Sequence, residues 1–459
     1  MSRLSWSRWA NEVPSAADEY REEMMTILGK ERKEDWEVVY EGATGLIDLY
    51  EEDPESKGMN SILIGFRNFM DDIFAAIDEG KPFVWHNCGC SPELIKGLDG
   101  VQTMPIEVLT VLQDLVGEVD FTVALIDEAE SHGVAPEVCS IDKAAVGAVL
   151  KDLYPEPACM LYHNTPCDSQ IAAIKSLTEM MKKPMRLMDV PYLSTDREVK
   201  YLAKQLQEGI PFLEEHTGLK FDWDKFREVC EESNRTAEYL RDWNELRRHR
   251  PCPQVSKIVA LNTALLVAFS GEPEGTKIAK GFRDEAKERI ERGESAVEGG
   301  EEYRAIWYQD PVWWDLQFYD WMESELKLVI PMDLFGYYAP EALIDTSTPQ
   351  SMLEGLARKN LKVLPMSRQF KGPIDYYIDD YLRMCADYEA DFAIFAGHVA
   401  CKHGLGGIGL FREASREAGI PLLYFEFDMF DPRVTSAEAI QEEITHFIED
   451  IVAPVKETV

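Results

Sequence analysis

The sequence predicts an α/β fold with two doubly wound parallel-sheet domains, a helical N-terminal extension and a helical insertion. Short apolar runs alternate with helical stretches from residue 81, helical periodicity continues alone between 195 and 300, and the alternation then resumes. Strands that alternate with helices are typical of parallel, doubly wound sheets. We therefore expect four segments: an extension at 1–80, a first α/β domain at 81–194, a helical segment at 195–300 and a second α/β domain at 301–459.

In the extension, Glu37–Glu52 and Gly58–Gly80 carry apolar residues at helical spacing, and Gly-Lys-Pro ends the second helix. The first α/β domain has four strand-like apolar runs: Pro82–Trp85, Phe121–Ile126, Ala158–Tyr162 and Met185–Val190. Its helical stretches are Pro105–Val116, Lys143–Tyr154 and Asp168–Met181.

The helical segment begins after a capping sequence, Ser194-Thr195-Asp196, and its long amphipathic helix Asp222–Arg250 ends at the Pro-Cys-Pro of 251–253. In the second α/β domain the predicted strands are Tyr303–Tyr308, Leu326–Ile330, Phe392–Phe395 and Pro421–Phe427. A helix at Ser436–Ile451 is predicted to close the fold.

Composition excludes several function classes. The 459 residues include 84 acidic and 47 basic side chains, a formal charge of −37, which repels nucleic acid and anionic lipid. No apolar run reaches the ~20 residues of a membrane helix, and the N-terminus lacks the apolar core of a signal peptide. We therefore expect a cytoplasmic protein whose nine cysteines are reduced.

Three cysteines stand out because each lies in a polar turn after, or just beyond, a strand-like run. They are Cys139 in PEVCS, Cys167 in HNTPCDSQ and Cys401 in GHVACKHG. Thiolates are soft ligands that suit iron–sulfur clusters or zinc, and three of them would leave one metal position open. The alternative is that they are buried core thiols, and the residues alone leave both interpretations open.

A further pair, Cys88 and Cys90 in HNCGC, also follows a predicted strand. The pair would ligate metal or form a redox thiol, or the segment is a tight glycine turn.

Glu107 in MPIEVL lies among apolar residues that would raise its pKa and make it a proton carrier; the alternative is a solvated helix face. Glu93 follows Pro92, where a carboxylate at a helix start is favoured.

Four of the eight histidines lie within a few residues of these cysteines: His86, His163, His398 and His403. Such clustering favours a site, although exposed loop histidines are the alternative.

The run Gly404–Gly409 fits the G-x-G-x-x-G pattern, and Glu426 follows at about the spacing of a dinucleotide fingerprint. However, GHVACKH separates these glycines from their strand, and only about fifty residues follow, too few for a dinucleotide domain. We interpret the run as a flexible turn before a helix.

The chain resembles the 2-hydroxyacyl-CoA dehydratase and benzoyl-CoA reductase family, in particular its larger, alpha-type subunits. The matching segments, in order, are PFVWHNCGCSPELIKGLDGVQTMPIEVL, AESHGVAPEVCS, HNTPCDSQ with RLMDVPY, TGLKFDWDKFREVCEESNR, and ADFAIFAGHVACKHG with GIPLLYFEFDMFDPR. Together they span about residues 80–450.

The resemblance implies an iron–sulfur catalytic subunit in which Cys139, Cys167 and Cys401 hold a 4Fe–4S cluster. The open iron would take the thioester carbonyl of an acyl-CoA substrate. A separate ATP-dependent iron–sulfur activator would donate one low-potential electron, and the partner subunit would be a homologous chain or a second copy. The resemblance also implies two α/β domains with a helical insertion.

One departure from the family pattern is that Cys88 stands where dehydratases carry serine, while Glu107 fits their acidic position with a one-residue shift. Cys88 and Cys90, with Cys159 as a further candidate, would be extra ligands of a larger, double-cubane-type cluster. His163 or His398 would donate hydrogen bonds to cluster sulfide or to substrate.

The leading hypothesis is therefore a 2-hydroxyacyl-CoA dehydratase or an aromatic acyl-CoA reductase. Three alternatives remain open: a double-cubane-type reductase component without an acyl-CoA site, an NAD-dependent oxidoreductase that uses GLGGIG, and a structural subunit with unligated cysteines.

Overall fold

The computed structural model describes residues 57–90, 92–107, 110–111, 119–151 and 153–458. In this part of the chain the strands are β1 (Phe83–His86), β2 (Gln102–Pro105), β3 (Cys159–His163), β4 (Met185–Met188), β5 (Tyr303–Gln309), β6 (Leu328–Val329), β7 (Phe392–His398) and β8 (Leu422–Phe427). The helices up to the second sheet are α1 (Lys57–Glu79), α2 (Glu93–Lys96), α3 (Val119–Ser131), α4 (Ser140–Leu150), α5 (Asp168–Met181), α6 (Asp196–Thr217), α7 (Trp223–Leu246), α8 (Lys257–Ala268) and α9 (Pro273–Arg292). The later helices are α10 (Gln317–Leu326), α11 (Pro349–Lys362), α12 (Pro365–Arg368), α13 (Ile374–Asp387), α14 (Lys402–Gly406), α15 (Ile408–Ala418), α16 (Ala437–Phe447) and, after a π-helical turn at Ile448–Val452, α17 (Ala453–Thr458).

The strands form two four-stranded sheets, and every pairing within them is parallel. The orders are β2-β1-β3-β4 and β6-β5-β7-β8, so the two halves share one topology. In each order the chain moves outward in both directions from its first strand, which is a doubly wound arrangement. The predicted fold class is confirmed.

The first sheet is buried on both faces because helices cover both. In β1, Phe83 and Trp85 belong to a large apolar core, which continues into the second sheet through Trp307. Val84, on the opposite face, belongs to a second core built around α6 and α11. Alternate side chains of one strand therefore enter two different cores.

Seven of the predicted strand positions correspond to observed strands, and the predicted helix Asp168–Met181 is observed with the same bounds. The helical periodicity between 195 and 300 corresponds to α6–α9, and α1 corresponds to the predicted helix Gly58–Gly80. The predicted helix Glu37–Glu52 lies outside the described residues. The proposed domain boundaries remain a prediction.

The strand prediction for Phe121–Ile126 was wrong, because these residues lie within helix α3. Its buried residues recur at helical spacing through Ala129, and a short apolar run does not distinguish a buried strand from a buried helix. The fourth strand of the first sheet is instead β2, whose residues Gln102–Pro105 pair with β1. Pro105, predicted to begin a helix, ends this edge strand, where a proline is tolerated.

Helix α7 begins at an N-cap aspartate, Asp222, whose carboxylate accepts hydrogen bonds from the backbone N–H groups of Asp224 and Lys225. Its last turn is followed by Arg247, which is fully buried and donates to the carbonyl oxygens of Pro331 at 2.6 Å and Ile330 at 2.9 Å. The helical segment is thereby hydrogen-bonded to the chain that leaves β6.

A buried ion pair connects the first half of the fold, the helical segment and the second half. The carboxylate of Glu93, at the start of α2, accepts from the ammonium group of Lys359 in α11 at 2.5 Å. It also accepts from the hydroxyl of Ser233 in α7 at 2.9 Å. Glu93 thus has a structural role at a helix start, as its position after Pro92 indicates.

Within the described ranges, no helix combines the length and apolar character that crossing a bilayer requires.

Replacing Lys359 with methionine should lower the free energy of unfolding by about 3–5 kcal/mol, since Glu93 would be left as a buried charge without its cation. Chemical denaturation measures this change. Lys175→Met is the matched control, because Lys175 pairs with Glu179 on the surface of α5 and its loss should change stability little. Equal effects in both variants would contradict the assigned role of the buried pair.

The pH dependence of stability should contain a contribution from Glu323 of α10. Burial raises the pKa of Glu323 to about 7, while its carboxylate accepts from the backbone N–H and hydroxyl of Ser256. Because the folded-state pKa lies above the unfolded value, the folded form binds this proton more tightly. Its stabilising effect is complete below the unfolded pKa and is lost as pH rises through about 7.

Glu323→Gln keeps the acceptor and removes the titration. Melting temperatures of both proteins at pH 5 and pH 8 test this, and the variant should gain stability relative to the wild type at the higher pH. An identical pH dependence in both proteins would refute the assignment.

Candidate functional site

The carboxyl ends of four parallel strands border a cleft between the two sheets, with an empty volume of about 1060 Å³ that is open to solvent. In each sheet the strand order reverses between the two central strands, β1 and β3 or β5 and β7. Ligands of doubly wound proteins bind at such reversal points. Cys88 follows β1, Cys167 follows β3, Asp310 follows β5 and Cys401 follows β7, and all four line the cleft.

The three cysteines singled out in the sequence all line this cleft. Cys139 is the N-cap residue of α4, Cys167 of α5 and Cys401 of the short helix α14. The first turn of a helix presents unpaired backbone N–H groups and a partial positive charge, which favour a thiolate. The fold thus brings together residues that the chain separates by more than two hundred positions.

Without a bound metal these thiols are neutral. Burial raises the pKa of Cys167 to about 12, and it raises the pKa values of Cys139 and Cys401 well above the usual thiol range. The three are close enough that a charge on Cys167 would also raise the pKa values of the other two. A soft metal would therefore have to displace their protons on binding.

The three cysteines supply the donor type that binds iron–sulfur clusters. Among the described residues, no three His, Cys, Asp or Glu side chains lie close enough together to hold one metal ion. In an iron–sulfur cluster each thiolate binds a different iron, so the thiols are separated by the width of the cluster. Three sulfur donors around one cleft suit that arrangement.

Cys88 and Cys90 have different environments. The thiol of Cys88 lies in the cleft, 3.4 Å from the side-chain oxygen of Gln170, to which it donates. Cys90 belongs to the second apolar core, as does Cys159 of β3. Ligation by Cys90 or Cys159 would require this core to open.

The turn that carries Cys88 approaches the Cys167 loop closely. Gly89 has no side chain, and a Cβ there would lie 2.5 Å from the carbonyl oxygen of Thr165. The side chain of Asn87 donates to the carbonyls of His163 and Thr165, at 3.1 and 2.7 Å. The HNCGC segment is therefore a tight glycine turn that also places one thiol in the site.

Three acidic side chains in the cleft carry raised pKa values. Burial raises the pKa of Glu107 to about 7 and that of Asp310 to about 6. Burial, and then the charge of Glu107, raise the pKa of Asp142 to about 8. Each of the three has one carboxyl oxygen without a hydrogen-bond partner among the described residues, so each is able to exchange a proton with a bound molecule near neutral pH.

The neighbouring residues Ser169 and Gln170, in the first turn of α5, connect the acidic groups to the cysteines. The hydroxyl of Ser169 accepts from the backbone N–H of Cys139 at 2.7 Å and bonds to the carboxyl of Asp142. The backbone N–H of Cys88 donates to Glu107 at 3.1 Å, and the side-chain oxygen of Gln170 accepts from the Cys88 thiol at 3.4 Å.

Of the histidines near cysteines in the sequence, His398 lines the cleft, and its Nε2 lies 3.1 Å from the sulfur of Cys139. His86 and His163, which end β1 and β3, are fully buried and are not cleft-lining residues. Burial lowers the pKa of His86 to about 3 and that of His163 to about 4, so both rings are neutral. The ring of His403 lies 6.2 Å from that of Phe370.

Sequence reasoning missed Asp142, Gln170, Asp310 and, beside His398, Asp428. The sequence does contain a signal for Asp310 and Asp428, in YQDP and EFDMF. Each is an acidic residue directly after a parallel strand, and such residues lie at the ligand-binding edge of the sheet. Asp142 gave no such signal, since it lies in the first turn of a helix after a segment that was itself misassigned.

The glycine run does not form a dinucleotide loop. Residues Gly404 and Gly406 belong to α14, and Gly409 belongs to α15. A Cβ on Gly404 would collide with the side chain of Gln309, a residue with a left-handed φ of 82°. The glycine permits the Cys401 turn to pack on β5, in agreement with the interpretation as a turn before a helix.

A family model described as 2-hydroxyglutaryl-CoA dehydratase, D-component, matches residues 88–451. The (R)-phenyllactyl-CoA dehydratase alpha subunit of Clostridium sporogenes is 26% identical over 344 residues, which cover 71% of this chain and 80% of that protein. The (R)-2-hydroxyisocaproyl-CoA dehydratase alpha subunit of Clostridioides difficile is 24% identical over 396 residues, covering 82% and 92%. A benzoyl-CoA reductase subunit of Thauera aromatica is 24% identical over 351 residues, covering 71% and 79%.

Proposed function

The chain belongs to the 2-hydroxyglutaryl-CoA dehydratase D-component family, and from this premise we propose that it is the iron–sulfur catalytic subunit of an acyl-CoA radical enzyme. The reaction is the dehydration of a 2-hydroxyacyl-CoA or the reduction of an aromatic acyl-CoA, the two chemistries named among its relatives. A single observation carries the proposal: Cys139, Cys167 and Cys401 come from three separate elements and line one cleft.

These three cysteines would hold a 4Fe–4S cluster. The cluster, when bound, would supply a low-potential electron and one iron without a protein thiolate, able to act as a Lewis acid. The thiols are not joined in disulfides, as a reducing cytoplasm would keep them.

The cleft walls suit a thioester and its acyl group. Aromatic and aliphatic side chains dominate the lining, among them Phe66, Trp313, Phe335, Phe370 and Phe430. They would exclude water from the reacting carbons, and a dry site strengthens the effect of the few charged groups within it.

Proton transfer falls to the acidic side chains. Glu107, with its raised pKa and one carboxyl oxygen that has no partner among the described residues, is the proposed proton carrier, and Asp142, whose pKa the charge of Glu107 raises, would assist it. His398 contacts Cys139 and would act at the cluster. His163 would act only through the turn that it supports, because it does not line the cleft.

Two kinds of partner follow from the proposal. The relatives are named as subunits of dehydratases and of a reductase, so we infer a second subunit that is either a homologous chain or another copy. An ATP-dependent iron–sulfur activator would deliver the electron.

The double-cubane alternative has one observation in its favour, the presence of Cys88 in the cleft. It is disfavoured by the burial of Cys90 and Cys159 in the second core. The NAD alternative is disfavoured because the glycine run is helical and packs on Gln309.

Protein purified without oxygen should contain about four irons per chain, whereas a double cubane would give about eight. Cys167→Ala should lose most of this iron, because two thiols cannot hold the cluster. Iron and acid-labile sulfide analysis, with EPR spectroscopy, measures both.

Two buried thiols provide matched controls. Cys90→Ala and Cys230→Ala remove side chains from the second core and should retain the wild-type iron content. A full iron complement in Cys167→Ala would overturn the ligand assignment, and loss of iron in Cys90→Ala alone would favour the double cubane.

Glu107→Gln should retain iron and lower kcat by roughly 10²–10⁴-fold, the usual contribution of an acid–base group. Asp142→Asn should give a smaller loss, since its carboxyl acts through Glu107. The assay uses the activated complex with 2-hydroxyglutaryl-CoA, 2-hydroxyisocaproyl-CoA, phenyllactyl-CoA, lactoyl-CoA and benzoyl-CoA as candidate substrates.

Loss of water from one of the hydroxyacyl thioesters would identify a dehydratase, and ring reduction would identify a reductase. Unchanged kcat in Glu107→Gln would remove this residue from the mechanism. No turnover of any of the five by the wild-type complex would count against the acyl-CoA assignment.

A further inference from the structure

A histidine and an aspartate from the second sheet meet Cys139 across the cleft. Nε2 of His398 lies 3.1 Å from Sγ of Cys139, and Nδ1 of the same ring lies 3.5 Å from Oδ2 of Asp428. The three side chains are at most 8% exposed. In so dry a place, each polar contact has a larger electrostatic effect than it would have in water.

Parallel pairing explains why the histidine and the aspartate meet. His398, the last residue of β7, pairs with Phe427 of β8, so Asp428 is the first residue beyond the neighbouring strand. Its Oδ1 accepts from the backbone N–H groups of Phe430 at 2.9 Å and Asp431 at 3.0 Å. These bonds fix the carboxylate and leave Oδ2 toward the imidazole.

The groups around Nδ1 determine whether Nε2, the ring atom that faces the Cys139 sulfur, carries a proton. The backbone N–H of Met429 points to Nδ1 from 3.4 Å, and a neutral ring that accepts this bond carries its proton on Nε2. The Cys139 sulfur has no proton to donate once it binds iron, so a hydrogen bond between the two side chains then needs this Nε2–H donor. A neutral ring that instead gave its proton to Asp428 through Nδ1 would face the sulfur with a lone pair.

We propose that His398, which packs against Asp428, is a positioning residue that donates an N–H hydrogen bond to the Cys139 sulfur and thereby raises the reduction potential of the bound cluster. The inference rests on the proposed function. A donor to a thiolate ligand stabilises negative charge on sulfur, and that charge is larger in the reduced cluster. The reduced state therefore gains more from the bond than the oxidised state does.

The consequence concerns electron delivery by the activator. A higher potential makes the one-electron reduction of the cluster easier and holds the electron until substrate arrives. The bond also connects the two halves of the fold, since Cys139 precedes α4 of the first half while His398 ends β7 of the second.

The test is an anaerobic redox titration of the full-length holoprotein, followed by EPR and visible absorption. His398→Leu removes the donor and should lower the midpoint potential, seen as a severalfold fall in the reduced fraction at a fixed ambient potential. His398→Gln offers an amide N–H near the same place and should restore most of that fraction. Iron content is measured on every sample.

His216→Leu is the control, because His216 lies in the last turn of α6 and does not line the cleft. Its potential should equal that of the wild type. An unchanged potential in His398→Leu with full iron, or equal shifts in the two leucine variants, would overturn the inference and leave the proposed function intact. Absence of a cluster in the wild type would overturn both.

A second readout needs no substitution. In holoprotein labelled with 15N-histidine, pulsed EPR of the reduced cluster should show 15N modulation from a ring that contacts a ligand sulfur. In His398→Gln this modulation should disappear. A wild-type spectrum without it would contradict the contact.

Discussion

Parallel pairing of the strands is the constraint on which the rest of this structure depends. In a parallel sheet all carboxyl ends lie at one edge, and here both sheets direct that edge toward one cleft. Cys88, Cys167, Asp310 and Cys401 are therefore neighbours although they follow four different strands. Antiparallel strands would have placed half of these residues at the opposite end of each sheet.

Burial then determines the chemistry of the cleft. Apolar walls disfavour charge, so the thiols are protonated at neutral pH unless a metal changes their surroundings, and the pKa values of the acidic groups are raised toward neutrality. For Cys167 this opposes metal binding, because protons have to leave, while for Glu107 it produces an acid that can both donate and accept. Burial in the same apolar cleft thus hinders loss of the proton from the proposed cysteine ligands and gives Glu107 a pKa that suits a proton carrier.

The site spans both halves, so it needs a rigid connection between them. Glu93, Ser233 and Lys359 supply one in the interior, and Arg247 adds a link between the helical segment and the chain after β6. The Glu93–Lys359 pair and the Arg247 guanidinium are charged groups in apolar surroundings, where leaving one partner unpaired is costly. They favour a single arrangement of the two sheets, which the proposed contact between Cys139 and His398 requires.

The sequence by itself predicted the fold class and most strands, because strand–helix alternation is a local pattern, and it singled out the three cysteines, Glu107 and His398, all of which line the cleft. It misassigned Phe121–Ile126 and missed Gln102–Pro105, since a short segment becomes a helix or a strand according to its neighbours. Only the tertiary structure decided that Cys88 enters the cleft while Cys90 enters a core, and that Asp142 and Asp428 join the site. Those outcomes depend on which face of each element is covered by distant chain, and no local pattern contains that information.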